Sequence, residues 1–140
     1  ALVLLPGWLL ERVIGVHRPG LDDPLAVMFS SGSTGEPKGV VLSHRNIASN
    51  ADAFERGVDI SGAADTILGT LPFFHCFGYT ICLWGVATIG LPAVYYPDPR
   101  QAKEVGELCR RYGCTILLGT ATFLRLYHRR CDPADFRSLR

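Results

Sequence analysis

The sequence predicts an α/β protein in which helices flank a mainly parallel sheet. Segments with helical periodicity alternate with short strand-like segments along the chain, as in layered α/β folds. The strand-like segments are continuously apolar, which is typical of strands covered on both faces. The chain has 140 residues, 48% of them apolar, which is enough for one domain with its own core.

The first third of the chain is predicted to hold a short helix and a β-hairpin. Residues 1–16 carry apolar side chains near helical spacing, with Glu11 and Arg12 on the opposite side. Residues 17–24 contain Pro, Gly and Asp and predict a loop. Two β-type apolar runs follow, at 25–29 and 39–42, with a polar segment between them. We therefore expect a hairpin with a long polar connection, the kind of loop that carries function.

The next elements are a capped helix and a strand. Ser43 is a plausible N-cap because its side-chain oxygen can accept a hydrogen bond from the first helical turn. The apolar stripe of this predicted helix consists of Ile47, Ala51, Phe54 and Val58. Residues 66–71 then predict a strand.

Residues 76–96 carry no charge and are long enough to span a bilayer. The segment Gly90-Leu91-Pro92 divides them, however, which favours a buried helix followed by a strand at 93–96 over a membrane span. A helix is then predicted to begin with Asp98 as its N-cap and Pro99 in its first position, and to stop at Gly113.

The C-terminal part adds one strand and one helix. Residues 114–120 predict an apolar strand without alternation, and a last helix is expected from about Thr122 to Arg130. Residues 132–140 are predicted to trail away from the fold. No internal repeat interrupts this order.

Composition excludes several function classes. The 14 Lys and Arg nearly balance the 13 Asp and Glu, so no basic field favours nucleic acid. The five cysteines form no CxxC pair and lie too far apart for a zinc site, so we predict no metal ligation by this chain. We interpret them as free buried thiols, in keeping with a reducing, cytoplasmic setting.

The connection of the predicted hairpin, residues 30–39, has the composition of a phosphate-binding loop. Glycines let backbone N–H groups turn inward, hydroxyl groups add donors, and a lysine adds positive charge. The candidate phosphate ligands are Ser30, Ser31, Gly32, Ser33, Thr34, Gly35 and Lys38. The spacing differs from the Walker A motif, because Lys38 follows Pro37 and precedes Gly39. On composition alone, a mobile polar turn remains an alternative.

The string "FSSGSTGEPKGVVLSHRNI" (29–47) resembles the phosphate-binding signature of the adenylate-forming, or AMP-binding, superfamily. That family includes acyl- and aryl-CoA synthetases, luciferases and nonribosomal adenylation domains. The resemblance extends to "LPFFHCFGYT" (71–80) and "GTATFLRLY" (119–127) and covers essentially the whole chain. Within the superfamily it is nearest to the acyl-ACP synthetase half of bacterial 2-acylglycerophosphoethanolamine acyltransferase and to long-chain fatty acyl ligases.

The resemblance implies an AMP-forming ligase that uses ATP and Mg²⁺ to activate a fatty acid for transfer to the thiol of acyl carrier protein or CoA. It assigns catalytic roles to Lys38 and His75. It also places His75 in contact with the substrate, although packing of this histidine in a core remains an alternative. It also implies substrate contacts at Gly78, Gly119, Thr120 and Phe123, although helix packing at Gly78 and core packing at the last three remain alternatives. A helix in the uncharged stretch 76–96 then has a further explanation, since one side of it can face an aliphatic substrate.

Family segments that hold adenine, magnesium and ribose have no counterpart in these 140 residues. We therefore expect residues 1–140 to be one α/β subdomain of a partial adenylation domain that is inactive alone and binds ATP weakly at most. The parent enzyme is expected in the cytoplasm, with association with the inner membrane as an alternative, and the isolated chain is open to self-association. A stand-alone nucleotide-binding or NTPase module, and a non-catalytic interaction domain, remain competing hypotheses.

Overall fold

The computed structural model describes residues 6–15, 18–32, 35–60 and 64–140. In chain order the elements are α1 Gly7–Val13, β1 Pro24–Ser30, β2 Lys38–Ser43, α2 His44–Gly57, β3 Ile67–Gly69, a π-helix Gly78–Gly85 that continues as α3 Val86–Ile89, β4 Ala93–Tyr95, α4 Ala102–Tyr112, β5 Ile116–Leu118, α5 Ala121–Arg130 and a 3₁₀ turn Pro133–Phe136. The strands form a two-stranded sheet and a three-stranded sheet. The predicted α/β class is confirmed.

The three-stranded sheet is parallel, with β3 between β4 and β5. Leu68 of β3 pairs with Val94 on one side and with Leu117 on the other. Helices connect the strands, so the carboxyl ends of all three strands meet at one edge. The predicted parallel sheet flanked by helices is confirmed.

Two hydrophobic clusters cover the two faces of β3, because successive side chains on a strand point in opposite directions. Leu68 is fully buried in a cluster with residues of α4 and α5, among them Val105, Cys109 and Tyr127. Ile67 is fully buried on the other face, where it packs with Val86 of α3. This strand is continuously apolar because both of its faces are buried, as the sequence predicted.

The two-stranded sheet is the antiparallel hairpin β1–β2, in which Val27 pairs with Val41 and Ser30 with Lys38. The prediction that apolar strands are covered on both faces is wrong for this hairpin. None of its described side chains is buried; Phe29 is 75% exposed and Val41 58%. Residues of α3, α4 and α5 pack against the three-stranded sheet, whereas Val27, Val40 and Val41 of the hairpin stay exposed.

Two helix ends test the predicted caps. Ser43 caps α2 as predicted: its Oγ accepts the Asn46 N–H at 3.3 Å, and Asn46 Oδ1 accepts the Ser43 N–H at 3.0 Å. The predicted start of α4 at Pro99 is wrong, since the helix begins at Ala102. The Asp98 carboxylate instead accepts the backbone N–H of Arg100 at 3.1 Å and its Nε at 2.8 Å. These bonds hold residues 98–101 in a turn ahead of the helix.

The predicted end of α4 is confirmed, with Gly113 in the left-handed region at φ 59°. Gly90 ends α3 in the same conformation, at φ 77°. It thereby separates the uncharged helix from β4, as predicted. Across the described part of the chain, every helix is too short or too polar to cross a bilayer.

The last nine residues do not trail away from the fold, contrary to the prediction. Ser138 Oγ donates to the Cys114 carbonyl at 2.7 Å, and the Arg140 N–H donates to the Thr115 carbonyl at 3.2 Å. The Arg140 guanidinium pairs with Asp65, whose side chain is 1% exposed. These contacts fasten the C-terminal segment to the amino ends of β3 and β5.

Two other predictions need adjustment. All five cysteines are free, but Cys76 is exposed and Cys131 half-buried, so the prediction that every thiol is buried is wrong for these two. The predicted N-terminal helix is present as α1, yet none of its residues is buried. Residues 1–5 of that prediction, and residues 16 and 17, lie outside the described residues.

Candidate active site

The hairpin closes the candidate phosphate loop through the pair Ser30 and Lys38. Inside it, the Gly32 N–H donates to the Ser30 carbonyl at 2.9 Å, and the Gly35 N–H donates to the Gly32 carbonyl at 3.0 Å. Gly35 has φ 85°, which only glycine adopts without strain. Ser33 and Thr34, also predicted as phosphate ligands, lie outside the described residues.

Lys38 lies across this loop. A Cβ added to Gly32 would stand 3.1 Å from Cε of Lys38 and 2.6 Å from the Glu36 carbonyl oxygen. A side chain at position 32 would therefore collide with the Glu36 carbonyl oxygen and displace the Lys38 side chain. Lys38 is exposed, and among the described residues no carboxylate forms an ion pair with it. An ammonium group in this state is available to an anionic ligand.

A cleft of about 530 Å³ separates the hairpin from the segment that precedes the π-helix. Ser30 and Ser31 line it on the hairpin side, and His75 lines it on the opposite side. The rest of the lining is Met28, Phe29, Val40, Leu42, Phe74 and Cys76. The structure thus brings together two predicted phosphate ligands and the predicted catalytic histidine.

His75 is exposed, and its backbone is fixed on both sides. Its N–H donates to the Pro72 carbonyl at 3.1 Å, and its carbonyl accepts the Tyr79 N–H at 2.9 Å. The Phe77 N–H approaches Nδ1 of the ring at 3.4 Å, and Cys76 Sγ lies 3.7 Å from the same nitrogen. While Nδ1 accepts this N–H, Nε2 is the ring nitrogen left to donate to a ligand.

Gly78 allows the helix to begin directly beneath His75. It is buried, and a Cβ at this position would stand 2.2 Å from the Pro72 carbonyl oxygen and 2.7 Å from that of Leu71. No side chain fits there, because both contacts are to backbone. The structure therefore places Gly78 against the turn that carries His75, and it lines neither of the cavities described in this section.

A second cavity, of about 340 Å³, lies at the carboxyl ends of β3 and β4. Aromatic rings and prolines dominate its lining, which consists of Gly69, Leu71, Pro72, Phe73, Phe74, Tyr95, Tyr96 and Pro97. Phe74, 86% exposed, lines both cavities. The sequence had not identified this cavity, although the carboxyl edge of a parallel sheet is where ligands bind in open α/β folds.

Tyr95 is held in one position by three neighbours. Its ring meets Phe73 edge-on, with centroids 5.4 Å apart, and its hydroxyl donates to the Cys82 carbonyl in the π-helix at 2.7 Å. A Cβ on Gly69 would stand 2.8 Å from the ring. Burial raises the pKa of Tyr95, and burial raises the pKa of Cys82 to about 11. Both groups are therefore neutral near pH 7, and Tyr95 keeps its hydrogen for the Cys82 carbonyl.

The other predicted substrate residues belong to the segment that follows β5. Gly119 and Thr120 follow β5, and Thr120 is the exposed N-cap of α5. Phe123 is half-buried and packs against the cluster that surrounds Leu68. None of the three lines either cavity. Their predicted contact with substrate stays a prediction.

Sequence reasoning missed most of the apolar lining of the cleft. Phe74 and Cys76 flank the predicted histidine, and that adjacency was the available signal. Met28, Val40 and Leu42 gave none, because the facing of hairpin side chains depends on the register. Within the described residues no group of three or more His, Cys, Asp or Glu side chains is placed to hold a metal ion.

Known proteins are similar to this chain in sequence and in fold. The family model described as "AMP-binding enzyme" matches residues 11–140. Long-chain-fatty-acid–CoA ligase 1 of Saccharomyces cerevisiae is 35% identical over 113 residues, which are 77% of this chain and 16% of the yeast protein.

Two solved structures share the fold. The inhibitor-bound N-terminal domain of FACL13 from Mycobacterium tuberculosis matches with a TM-score of 0.78 and 28% identity, over 89% of this chain and 31% of that one. The o-succinylbenzoate–CoA synthetase MenE of Bacillus subtilis, in complex with ATP and a magnesium ion, matches with a TM-score of 0.75 and 25% identity, over 86% of this chain and 25% of that one. The chain spans only 16% to 22% of the length of curated relatives such as the yeast ligase.

Proposed function

The chain belongs to the AMP-binding enzyme family, whose model matches residues 11–140, and on this premise we propose that it is the phosphate-loop part of an ATP-dependent ligase that activates a fatty acid as acyl-AMP. The observation that carries the proposal is the shared cleft. Ser30 and Ser31 at the base of the loop face His75 across about 530 Å³. Hydroxyl donors and an imidazole on opposite walls suit a reaction between a polyphosphate and a second polar substrate.

The proposed reaction has two steps. A carboxylate oxygen of the fatty acid attacks the α-phosphorus of ATP, the bond from that phosphorus to the bridging oxygen breaks, and pyrophosphate leaves with the bond electrons. A thiolate then attacks the acyl carbon and AMP leaves. Negative charge builds up on the departing pyrophosphate in the first step, so donors fixed around it lower the barrier.

The residues on the two sides of the cleft have different proposed roles. The loop hydroxyl groups and Lys38 donate to the phosphates, and the Lys38 charge offsets the charge of the leaving pyrophosphate. His75, with its hydrogen on Nε2, donates to an oxygen of the carboxylate or of the α-phosphate as they approach. Gly78 contributes by holding the turn that carries His75, and we retain Gly119, Thr120 and Phe123 as proposed contacts to the substrate.

The proposed substrate, acceptor and metal rest on several observations. A helix without charges lies beside the site, and a relative that this chain resembles is named a long-chain-fatty-acid–CoA ligase. CoA is the proposed acceptor, with acyl carrier protein as the second candidate. Magnesium, when bound with ATP, screens phosphate charge, and its ligands are proposed to come from outside the described residues. We propose the cytoplasm as the location.

The test is fatty-acid-dependent exchange of labelled pyrophosphate into ATP, measured on the 140-residue chain and on a full-length protein that contains it. We expect exchange from the full-length protein and none from the isolated chain. ATP hydrolysis by the isolated chain would support a stand-alone NTPase instead. Absence of exchange from both proteins would support a non-catalytic domain.

A matched pair of histidine variants tests the role of the cleft. His75→Ala in the full-length protein should lower the exchange rate by about 10² to 10³, the usual effect of removing one fixed donor. His128→Ala is the control, because His128 is exposed on α5 and lines neither cavity. Equal rates for the two variants would remove His75 from the proposed mechanism.

A further inference from the structure

Two cysteines lie in the turn that joins the end of α4 to β5. The Cys114 N–H donates to the Cys109 carbonyl at 3.0 Å, and the Gly113 N–H donates to the Arg110 carbonyl at 3.4 Å, with Gly113 at φ 59°. These two bonds around a left-handed glycine form a Schellman motif, in which Cys109 and Cys114 occupy the two positions whose side chains commonly touch. The end of the helix therefore brings two thiols together.

The backbone geometry of this turn suits a disulfide between the two cysteines. One N–H···O bond links their backbones, so their α-carbons lie within about 7 Å of each other, the separation beyond which two cysteines cannot be joined without backbone movement. The Sγ of Cys109 is 3.7 Å from the Cys114 carbonyl oxygen. The Ser138 hydroxyl donates to the same carbonyl at 2.7 Å and holds it in place. One sulfur thus lies against the backbone of the residue that carries the other.

The two thiols differ in how easily they ionise. A hydrogen bond from the Cys114 side chain lowers the pKa of Cys109, and the same contact, together with burial, raises the pKa of Cys114. In dithiol redox sites the thiol with the lowered pKa is the attacking group. A third sulfur of the same hydrophobic cluster, that of Cys131, donates to the Ala102 carbonyl at 3.0 Å. The geometry therefore favours Cys109 with Cys114 over a pair that includes Cys131.

Access to the two sulfurs requires the last turn of α4 to open, because both cysteines are 0% exposed. The residues between them, 110–113, are all exposed. A helix end opens at a lower cost in free energy than the core of a fold. We therefore expect a small oxidant to reach this pair while the parallel sheet stays folded, although more slowly than it reaches the exposed Cys76.

We propose that Cys109 and Cys114 are a redox site that forms a disulfide when it reacts with an oxidised low-molecular-weight thiol. The Cys109 thiolate attacks one sulfur of the small disulfide, the S–S bond breaks, and one small thiolate leaves with the bond electrons. The Cys114 sulfur loses its proton and attacks the Cys109 sulfur, so that a second small thiolate leaves. Two protein thiols are oxidised, one small disulfide is reduced, and the two small thiolates take up the two protons.

This inference does not rest on the proposed function. Cys114 precedes β5, so the pair lies at the amino edge of the parallel sheet, whereas the aromatic cavity lies at the carboxyl edge. The disulfide would fasten the end of α4 to the segment that leads into β5. Its expected consequence is a more stable turn.

Peptide mapping after oxidation tests the pairing. The folded full-length protein is incubated with oxidised glutathione, its remaining thiols are blocked with iodoacetamide, and it is then unfolded and digested with trypsin. Arg110 and Arg111 lie between the cysteines, so trypsin places the cysteines in separate peptides, 104–110 and 112–125. We expect mass spectrometry to find these two peptides joined, and to find them separate after reduction. Absence of the joined peptides, or joining of either one mainly to another cysteine, would overturn the proposal.

Matched alanine variants test the order of attack. In Cys114→Ala the mixed disulfide on Cys109 has no partner to resolve it, so glutathione should accumulate on Cys109. In Cys109→Ala, Cys114 is left without the attacking thiol and should stay unmodified. Cys131→Ala is the control and should give the same joined peptides as the wild type. Equal amounts of glutathione on the first two variants would contradict the assignment of Cys109 as the attacking thiol.

Hydrogen exchange measures the consequence of the bond without any variant. The disulfide restricts the opening of the turn, so the amide hydrogens of residues 110–114 should exchange about tenfold more slowly in the oxidised protein than in the reduced one. The amides of the hairpin strand β2 are the control and should exchange equally in both. Unchanged exchange at 110–114, in a sample whose peptides are joined, would overturn the role of the disulfide in fastening α4.

Discussion

The hairpin β1–β2 and the parallel sheet β4-β3-β5 both contain runs of apolar residues but bury them very differently. In β3, Ile67 and Leu68 are 0% exposed, and helices cover both faces. In the hairpin, paired Val27 and Val41 are both more than half exposed. The comparison teaches that apolar composition shows a strand's capacity for burial, while the neighbouring helices decide whether burial occurs.

The same contrast separates stability from chemistry. The sheet and its helices hold the buried side chains, whereas the loop between the hairpin strands holds the candidate phosphate ligands on an exposed ribbon. A loop that must admit and release a charged nucleotide gains from being on the surface, where backbone groups stay accessible to a ligand. Substitutions in the two regions should therefore change different measured quantities.

The largest effect on stability is expected in the centre of the parallel sheet. Leu68→Ala removes a fully buried side chain from the cluster with α4 and α5 and should lower the free energy of unfolding by about 3 kcal/mol. Val41→Ala is the matched truncation in the hairpin and should change it by less than about 0.5 kcal/mol. Urea denaturation measures both. Equal losses at the two sites would show that the hairpin is buried in solution.

The next effect concerns the ion pairs of the two regions. Asp65 is 1% exposed and accepts from Thr115 Oγ1 at 2.7 Å and from Arg140 Nε at 2.8 Å, so Asp65→Ala should cost about 2 kcal/mol. Asp22 pairs with Arg45 at 2.7 Å beside the hairpin, but both side chains are mostly exposed. Asp22→Ala should leave the denaturation midpoint unchanged. A larger loss for Asp22 than for Asp65 would reverse this ranking.

A smaller effect is expected from glycines in the left-handed region. Gly113→Ala forces an L-residue to φ 59° at the end of α4 and should lower stability by about 1 kcal/mol. Gly35→Ala imposes the same kind of strain at φ 85° in the phosphate loop. Because the loop is exposed, Gly35→Ala should lower stability by less than Gly113→Ala does. It should, however, weaken ATP binding by the full-length protein. Thermal unfolding and nucleotide titration distinguish the two outcomes.

Features of the fold with a local cause were predictable from the sequence. Ser43 caps α2 because the cap uses side chains three residues apart, and Gly113 ends α4 because glycine adopts a left-handed φ without strain. The predicted start of α4 was wrong because Arg100 binds the Asp98 carboxylate and holds a turn there. This contact is as local as a helix cap, but no spacing rule predicts it from the sequence. The ion pair between Arg140 and Asp65 could not be predicted from the sequence, since 75 residues separate the two partners.

The candidate site divides in the same way. The phosphate loop is one continuous ten-residue segment, and His75 lies within a second short motif, so both could be recognised from the sequence. Their meeting in one cleft depends on how the hairpin sits against the turn at Pro72, which no short pattern records. The aromatic cavity was missed for a related reason. Phe73 and Tyr95 lie on different elements, and only the register that pairs Gly69 with Tyr95 brings their rings together.

A small expected effect on stability belongs to a residue with one of the largest expected effects on chemistry. Lys38 is exposed at the start of β2 and lies over Gly32, so Lys38→Ala should change the free energy of unfolding by less than about 0.5 kcal/mol. In the full-length protein the same change should slow pyrophosphate exchange about a hundredfold, because the charge that offsets the leaving pyrophosphate is gone. Lys103→Ala is the control, because Lys103 is also an exposed lysine but lies on α4, and it should alter neither quantity. An unchanged exchange rate in Lys38→Ala would exclude the lysine from the reaction, and a large loss of stability would mean that the loop supports the fold after all.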